Sequence, residues 1–240
     1  MLHPERESRD ELERMQKNMG SYAFAAQYQQ RPAPLGGGLI KWEWFKSYKK
    51  IPARRPGDRV VQSWDTASKA GDMNDWSVCT TWLYQEGRCY LLHVLRKRLE
   101  YPQLKRYVQH MNQKFGADLV LIEAVSAGVP LIQELRTVDG LYIVPVIPKD
   151  DKATRMMAES PAIEAGRVFV PKDREWLADF QHEIVRFPNG KHDDQVDSLS
   201  QFLYWARKQQ HPQVPQVTVT LIGGPPPPLS IDDLFNTPMY

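Results

Sequence analysis

The sequence is short of cysteine, of long apolar runs and of charge imbalance, and each shortage removes a class of protein. It has two cysteines in 240 residues, Cys79 and Cys89. Both sit in apolar, strand-like runs and read as buried thiols, so no disulfide framework is expected and a reducing compartment fits. No apolar run approaches the length that crosses a bilayer, and the N-terminus is charged where a secretory leader would be apolar. Cys/His clustering of the kind that holds zinc is lacking, and no Ser-His-Asp signature stands out. The formal net charge of +2 is too small to argue for any partner. What remains is an ordinary apolar content of 42% on a chain long enough for one α/β domain with a real core plus appendages. A soluble, intracellular protein is the expectation.

Against this background one stretch stands out, Lys191-His192-Asp193-Asp194-Gln195-Val196-Asp197-Ser198-Leu199. Val196, Leu199, Leu203 and Ala206 recur at helical spacing, which predicts an amphipathic helix entered from the turn Pro188-Asn189-Gly190. Asp194 and Asp197 then share one face of its first turn. A single acid there is explained by capping and the helix dipole. Three Asp and a His between residues 192 and 197 exceed what a cap needs. Acids packed this closely repel one another unless a cation or protons neutralise them. The stretch therefore reads as a divalent-metal site, with the remaining ligands to be found elsewhere.

The rest of the chain divides into three parts: residues 1–40, residues 41–209 and residues 210–240. Glu5 to Met19 reads as a solvated helix, and Tyr22 to Gln30 as a short helix burying Phe24, Ala25 and Tyr28. Pro32, Pro34 and Gly36-Gly37-Gly38 mark a linker, which Trp42, Trp44 and Phe45 anchor on the next unit. The first strand runs from Arg59 into Trp64-Asp65. Trp76–Tyr84 and Arg88–Val94 follow as two strands joined by the tight turn Gln85-Glu86-Gly87. Leu104, Val108, Met111 and Phe115 give a helical stripe. Asp118–Ala124 is continuously apolar, the mark of a central strand buried on both faces, and ends in Glu123. A short helix near Leu131, a strand over Leu141–Ile147, a helix over Lys152–Ala165 kinked or restarted at Pro161, a strand at Val168–Val170 and a helical stripe from Trp176 to Phe187 complete the order. Prolines dominate the segment after Arg207, which is expected to be extended or mobile. The fold class is α/β, with three antiparallel strands leading into parallel ones and helices on the flanks.

In such a mixed sheet the first and fourth strands are often central neighbours. Asp65 and Glu123 would then meet at their ends, and a helix packed across the sheet would deliver Asp194 and Asp197. Clustered carboxylates of this kind suit phosphodiester hydrolysis. Mg²⁺ and Mn²⁺ prefer carboxylate oxygens, and two such ions roughly 3.5–4 Å apart activate a water and stabilise a leaving oxygen. His93 and His110 read as structural, whereas His192, beside the acids, reads as a supporting residue or ligand.

Trp64-Asp65-Thr66-Ala67, Asn74-Asp75-Trp76-Ser77, Leu121-Ile122-Glu123-Ala124, Lys152-Ala153-Thr154-Arg155, Gly166-Arg167-Val168 and His192-Asp193-Asp194-Gln195-Val196-Asp197 together resemble the nuclease domain of large terminase subunits from tailed bacteriophages and prophages. The resemblance spans roughly Ala23 to Arg207. It implies a ribonuclease-H-like fold that cuts concatemeric double-stranded DNA during viral genome packaging, in the cytoplasm of the bacterial host. It also implies two Mg²⁺ or Mn²⁺ ions, with a portal protein and a small terminase subunit as partners. Asp65, Glu123 and Asp194 match the family's three metal-binding acids. Asp197 matches the last acid of the related resolvases, so either Asp194 or Asp197 is the closer ligand. Asp193 and Asp75 are expected to support them.

Gln27-Tyr28-Gln29-Gln30 resembles the junction that leads from an ATPase motor into such a nuclease. A phosphate-binding G-x-x-x-x-G-K-[ST] loop is lacking. The expectation is thus a nuclease domain without its motor, unable to translocate DNA by itself. Arg96, Lys97 and Arg98, read as following the third strand, and Lys149, Lys152 and Arg155, at a helix start, are the candidates for phosphate contacts. No recognition helix is evident, so cutting with little sequence specificity is expected. Two other readings stay open: a resolvase or transposase-type nuclease of the same fold, or a non-catalytic DNA-binding remnant of a prophage.

Overall fold

A computed structural model describes residues 8–28, 38–66 and 76–210. Asp75, most of the Pro/Gly linker and the proline-rich segment beyond residue 210 lie outside the described residues. Helix α1 (Arg9–Tyr28) is interrupted at Gly20, whose φ of 81° and ψ of 160° are not helical. The break agrees with the two pieces read from sequence. Phe24 is buried as expected, but Tyr28 is 40% exposed, stacked on Phe24 at 4.9 Å.

After a 3-10 turn at Trp42–Trp44 the chain enters β1 (Lys46–Tyr48). Then come β2 (Arg59–Asp65), β3 (Ser77–Gln85), β4 (Arg88–Lys97), α2 (Tyr101–Phe115) and β5 (Leu119–Glu123). The second half holds α3 (Gly128–Leu135), β6 (Ile143–Val146), α4 (Lys152–Glu164), β7 (Val168–Pro171), α5 (Leu177–Arg186) and α6 (Asp194–Gln210). The strands form one sheet in the order β1-β7-β4-β3-β2-β5-β6.

β2, β3 and β4 form the expected antiparallel meander. Glu86 and Gly87 both take positive φ, 48° and 78°. This two-residue turn matches the twist of the flanking strands. β4 continues to Lys97, so Arg96 and Lys97 lie in the strand rather than after it. β5 pairs parallel with β2, and β6 parallel with β5. β1, absent from the sequence expectation, pairs parallel with β7 at the sheet's edge.

Helices cover both faces. Trp64, Cys79, Val120 and Ile122 pack against Leu104 and Val108 of α2 and Leu131, Ile132 and Leu135 of α3. On the other face Val61, Val78, Trp82 and Leu121 meet α4, α5 and α6, with Trp82 stacked on Phe202 at 4.4 Å. Helix α6 lies close to the sheet because small hydroxyl residues line the contact. Ser63 Oγ donates to the Ser198 carbonyl and Ser198 Oγ donates to the Ser63 carbonyl, both at 2.8 Å, while Gln201 Nε2 donates to Ser63 Oγ at 2.9 Å. These reciprocal bonds satisfy buried polar groups and fix the helix's height on β2. Helix α4 runs through Pro161 without restarting. Proline cannot bond the Met157 carbonyl, and Ser160 Oγ supplies that bond instead, at 2.9 Å. Among the described residues no helix is long and apolar enough to cross a membrane.

Candidate functional site

The acids converge because of strand register. Trp64 stands opposite Ile122 in the parallel β2–β5 pair, so the next residues along, Asp65 and Glu123, end adjacent strands side by side. Asp65 is also opposite Val78, which is opposite Arg96. The basic run Arg96-Lys97-Arg98 therefore sits at the same end of the sheet. Behind Glu123 the chain turns sharply through Ser126, whose φ is 48°. It then starts α3 at Gly128, where a Cβ would lie 1.9 Å from the Glu123 carbonyl oxygen. Only glycine allows that approach. Asp194 and Asp197 enter from the first turn of α6. Asp65, Thr66, Glu123, Arg155, Asp194 and Asp197 line one cleft.

Two cations from the start of α4 reach into the cleft. Arg155 spans two acids, with Nη1 donating to Glu123 Oε1 at 2.6 Å and Nη2 to Asp197 Oδ1 at 2.8 Å. Lys152 Nζ reaches Asp193 Oδ1 at 2.8 Å and Asp197 Oδ2 at 2.7 Å. Lys152 and Arg155, assigned to phosphate from sequence, are thus drawn onto carboxylates. Lys149 is exposed and lines a second cavity, which shares Arg155 with the first. Lys97 bonds Tyr107 Oη at 3.1 Å. Arg96 and Arg98 each lie 4.5 Å from the Trp76 ring.

Sequence reasoning does not single out Glu183. It is 5% exposed and accepts from Gln195 N at 2.6 Å and Gln195 Nε2 at 2.7 Å. From α5 it caps the helix that carries Asp194 and Asp197, and Arg96 lies 3.6 Å from its carboxylate. The available signal is an acid on the apolar face of α5, three residues after Phe180.

The electrostatics are those of a crowded anionic site. Burial, and then repulsion from Asp197, Glu123 and Asp194, holds the Asp65 carboxyl well above the usual range, with Lys152 opposing. Burial pushes Asp197 up to about 6 despite Lys152 and Arg155. Asp194 is raised by burial and by Glu183 and Asp193, with Arg96 and His192 pulling the other way. His192 is half-buried beside it. Lys152 is itself raised; burial alone would lower it, but its bonds to Asp193 and Asp197 prevail.

All the donors in the cleft that fit a metal are hard oxygens, which suit Mg²⁺ or Mn²⁺ rather than a thiophilic ion. Asp194 Oδ2 is buried with no hydrogen-bond partner, an orphan that a cation would satisfy. Among the described residues no three acids or histidines already converge into a ligand cage, and Lys152 and Arg155 occupy carboxylate oxygens of Glu123, Asp193 and Asp197. The residues present fit a divalent ion in chemistry, with the two cations as its competitors.

Residues 62–204 match the family model of the terminase RNaseH-like domain. No curated protein matches the sequence significantly. Among solved structures, the chain is similar to the large terminase of a thermophilic bacteriophage. The TM-score is 0.60 at 15% identity, over 83% of this chain and 53% of that one. It therefore spans about half the length of that protein. It is also similar to the large terminase nuclease of another thermophilic phage, G20c, solved with bound magnesium. There the TM-score is 0.54 at 16% identity, over 71% of this chain and 98% of that one. The G20c nuclease solved with bound cobalt gives 0.55 at 16% identity over the same shares. At these identities the likeness is one of fold.

Proposed function

The chain belongs to the terminase RNaseH-like domain family, and from that premise we propose that it is a metal-dependent endodeoxyribonuclease. It cuts concatemeric double-stranded viral DNA during genome packaging in the cytoplasm of the bacterial host. The observation that carries this reading is the parallel register of β2 and β5, which sets Asp65 beside Glu123 on the cleft that Asp194 and Asp197 also line. The magnesium and cobalt bound by the G20c nuclease support a divalent ion here.

Asp65, Glu123 and Asp194 would hold two Mg²⁺ or Mn²⁺ ions, with Asp197 as the remaining carboxylate. Bound, such ions activate water and stabilise the leaving 3′ oxygen of a phosphodiester. The chain's own residues do the rest. β2 and β5 fix two carboxylates on a rigid sheet, and the Glu183 cap fixes the first turn of α6. Arg98, exposed just past the end of β4, and Lys149, exposed on the neighbouring cavity, meet phosphates without reading bases. A portal protein and a small terminase subunit are the partners this reading implies. The test is nicking of supercoiled plasmid by this chain in Mg²⁺, in Mn²⁺ and in EDTA. Cleavage should require the metal, and full activity in excess chelator would overturn the reading.

A further inference from the structure

Arg155 and Lys152 stand between two assignments, one to DNA phosphate and one to the carboxylates they touch. We propose that they do both in turn: they are exchangeable counter-cations that hold the acid cleft until divalent ions enter, and only then turn to DNA phosphate. The inference rests on the metal-dependent nuclease reading above.

Charge comes first. Among the described residues, Lys152 and Arg155 are the cations at ion-pair distance from Glu123, Asp193 and Asp197. Asp65 and Asp194 add their charge to the same cleft, so the cluster is undercompensated. The short bonds to Glu123 and Asp197 offset part of the acids' mutual repulsion. A divalent ion bound by the same carboxylates would lie against a guanidinium and an ammonium, and like charges at that range repel strongly. Uptake of the ion and release of the cations are therefore linked.

The second observation is room to move. Arg155 lines both the acid cleft and the neighbouring cavity formed with Ile147, Lys149, Tyr204 and Arg207. Its Nε is buried with no partner, so the guanidinium is held at one edge only. The Lys152 side chain is half-exposed, and its stem can swing the ammonium to solvent or to a phosphate. Both cations start from the N-terminal turns of α4, which favour anions.

The test compares wild type with Arg155→Gln and Lys152→Gln in two measurements. Calorimetric titration of Mn²⁺ without DNA should show affinity tightened by about tenfold or more in Arg155→Gln, and by less in Lys152→Gln. Duplex binding is then titrated with salt in Ca²⁺, an oxygen-seeking ion expected to occupy the site with little turnover. There each variant should lose about 0.9 from the slope of log affinity against log salt. In EDTA the slopes of variants and wild type should coincide, because the cations are then engaged with the acids. Unchanged or weakened Mn²⁺ affinity, or the same slope difference in EDTA as in Ca²⁺, overturns the inference. If Arg155→Gln fails to fold without metal, Lys152→Gln on its half-exposed site carries both readouts. Wild type that takes up no divalent ion overturns the nuclease reading itself, a result distinct from uptake that the variants leave unaltered.

Discussion

Helices α4 and α6 carry two acid–arginine contacts that differ in kind. Toward the C-terminal end of α6, Arg207 grips Glu159 with Nε 3.1 Å from both carboxylate oxygens and Nη2 2.9 Å from one. Glu159 is 3% exposed, and burial raises its carboxyl against the pull of that one arginine. One acid meets one cation, and every oxygen has a donor. At the N-terminal end, Arg155 divides itself between Glu123 and Asp197, while Asp194 keeps an oxygen unpartnered. Asp65 is raised by its neighbours' charges as well as by burial. A balanced pair staples two helices, whereas an unbalanced cluster stores repulsion that a ligand can relieve.

The largest effect should come from the unbalanced end. Asp65→Asn, Glu123→Gln and Asp194→Asn should each lower plasmid cleavage by about a thousandfold or more, since ion binding is worth several kcal/mol to the transition state. Melting in chelator should stay level or rise, because each change removes charge from a repulsive cluster. Normal cutting by Asp194→Asn beside a dead Asp197→Asn would exchange their roles. At the balanced end the pattern should invert. Glu159→Ala should cost roughly 2–3 kcal/mol of stability, below the full penalty for a broken buried pair because Arg207 is half-exposed. Cleavage per folded molecule should be unchanged, as urea melts and initial rates together would show. A loss of cutting without a loss of stability would erase the distinction between the two ends.

A smaller effect follows from pH. Folded Asp197 binds its proton up to about 6 because burial outweighs its cations, whereas an unfolded carboxyl loses it near 4. Between those values the folded state holds more protons, so stability falls as pH rises through them. Asp65 and Asp194 shift in the same direction. In EDTA the protein should melt a few degrees higher at pH 5 than at pH 7, and Asp197→Asn should shrink that gain. With Mn²⁺ the order should reverse, because bound ions displace protons. A melting temperature in EDTA that drops on acidification would remove Asp197 from the strained set.

Much of this division is legible in the sequence. β2 and β5 are apolar runs that stop at an acid, and the acids of α6 precede a helical stripe, so the pattern names both the elements and their chemistry. The central pairing of β2 with β5 is likewise expected where a meander leads into parallel strands. Other features are tertiary and leave little local trace. β1 is three residues long with two of them exposed, too short for alternation to register. From sequence, Lys152 and Arg155 read as phosphate contacts, because nothing local says that α4 aims them at Glu123, Asp193 and Asp197. Glu183 hides for the same reason: its partner Gln195 lies on another helix.

Glu183 offers the finest test of the comparison, because it belongs wholly to neither end. Its carboxylate is satisfied by Gln195 N and Nε2, as in a structural pair, yet Arg96 lies only at ion-pair distance, 3.6 Å. Its charge also helps to raise Asp194. Glu183→Gln keeps the shape and one acceptor for the helix N-terminus but deletes that charge. Stability should fall by about 1 kcal/mol, the scale of one cap or charge-assisted bond. At the same time Asp194 should ionise more readily, since one repulsive neighbour is gone and Arg96 is left to favour the anion. The pH midpoint of Mn²⁺ uptake, followed by calorimetry, should move downward in the variant. A merely structural cap would change the melting temperature and leave that midpoint where it was, and such a result would place Glu183 with Glu159 rather than with the cleft.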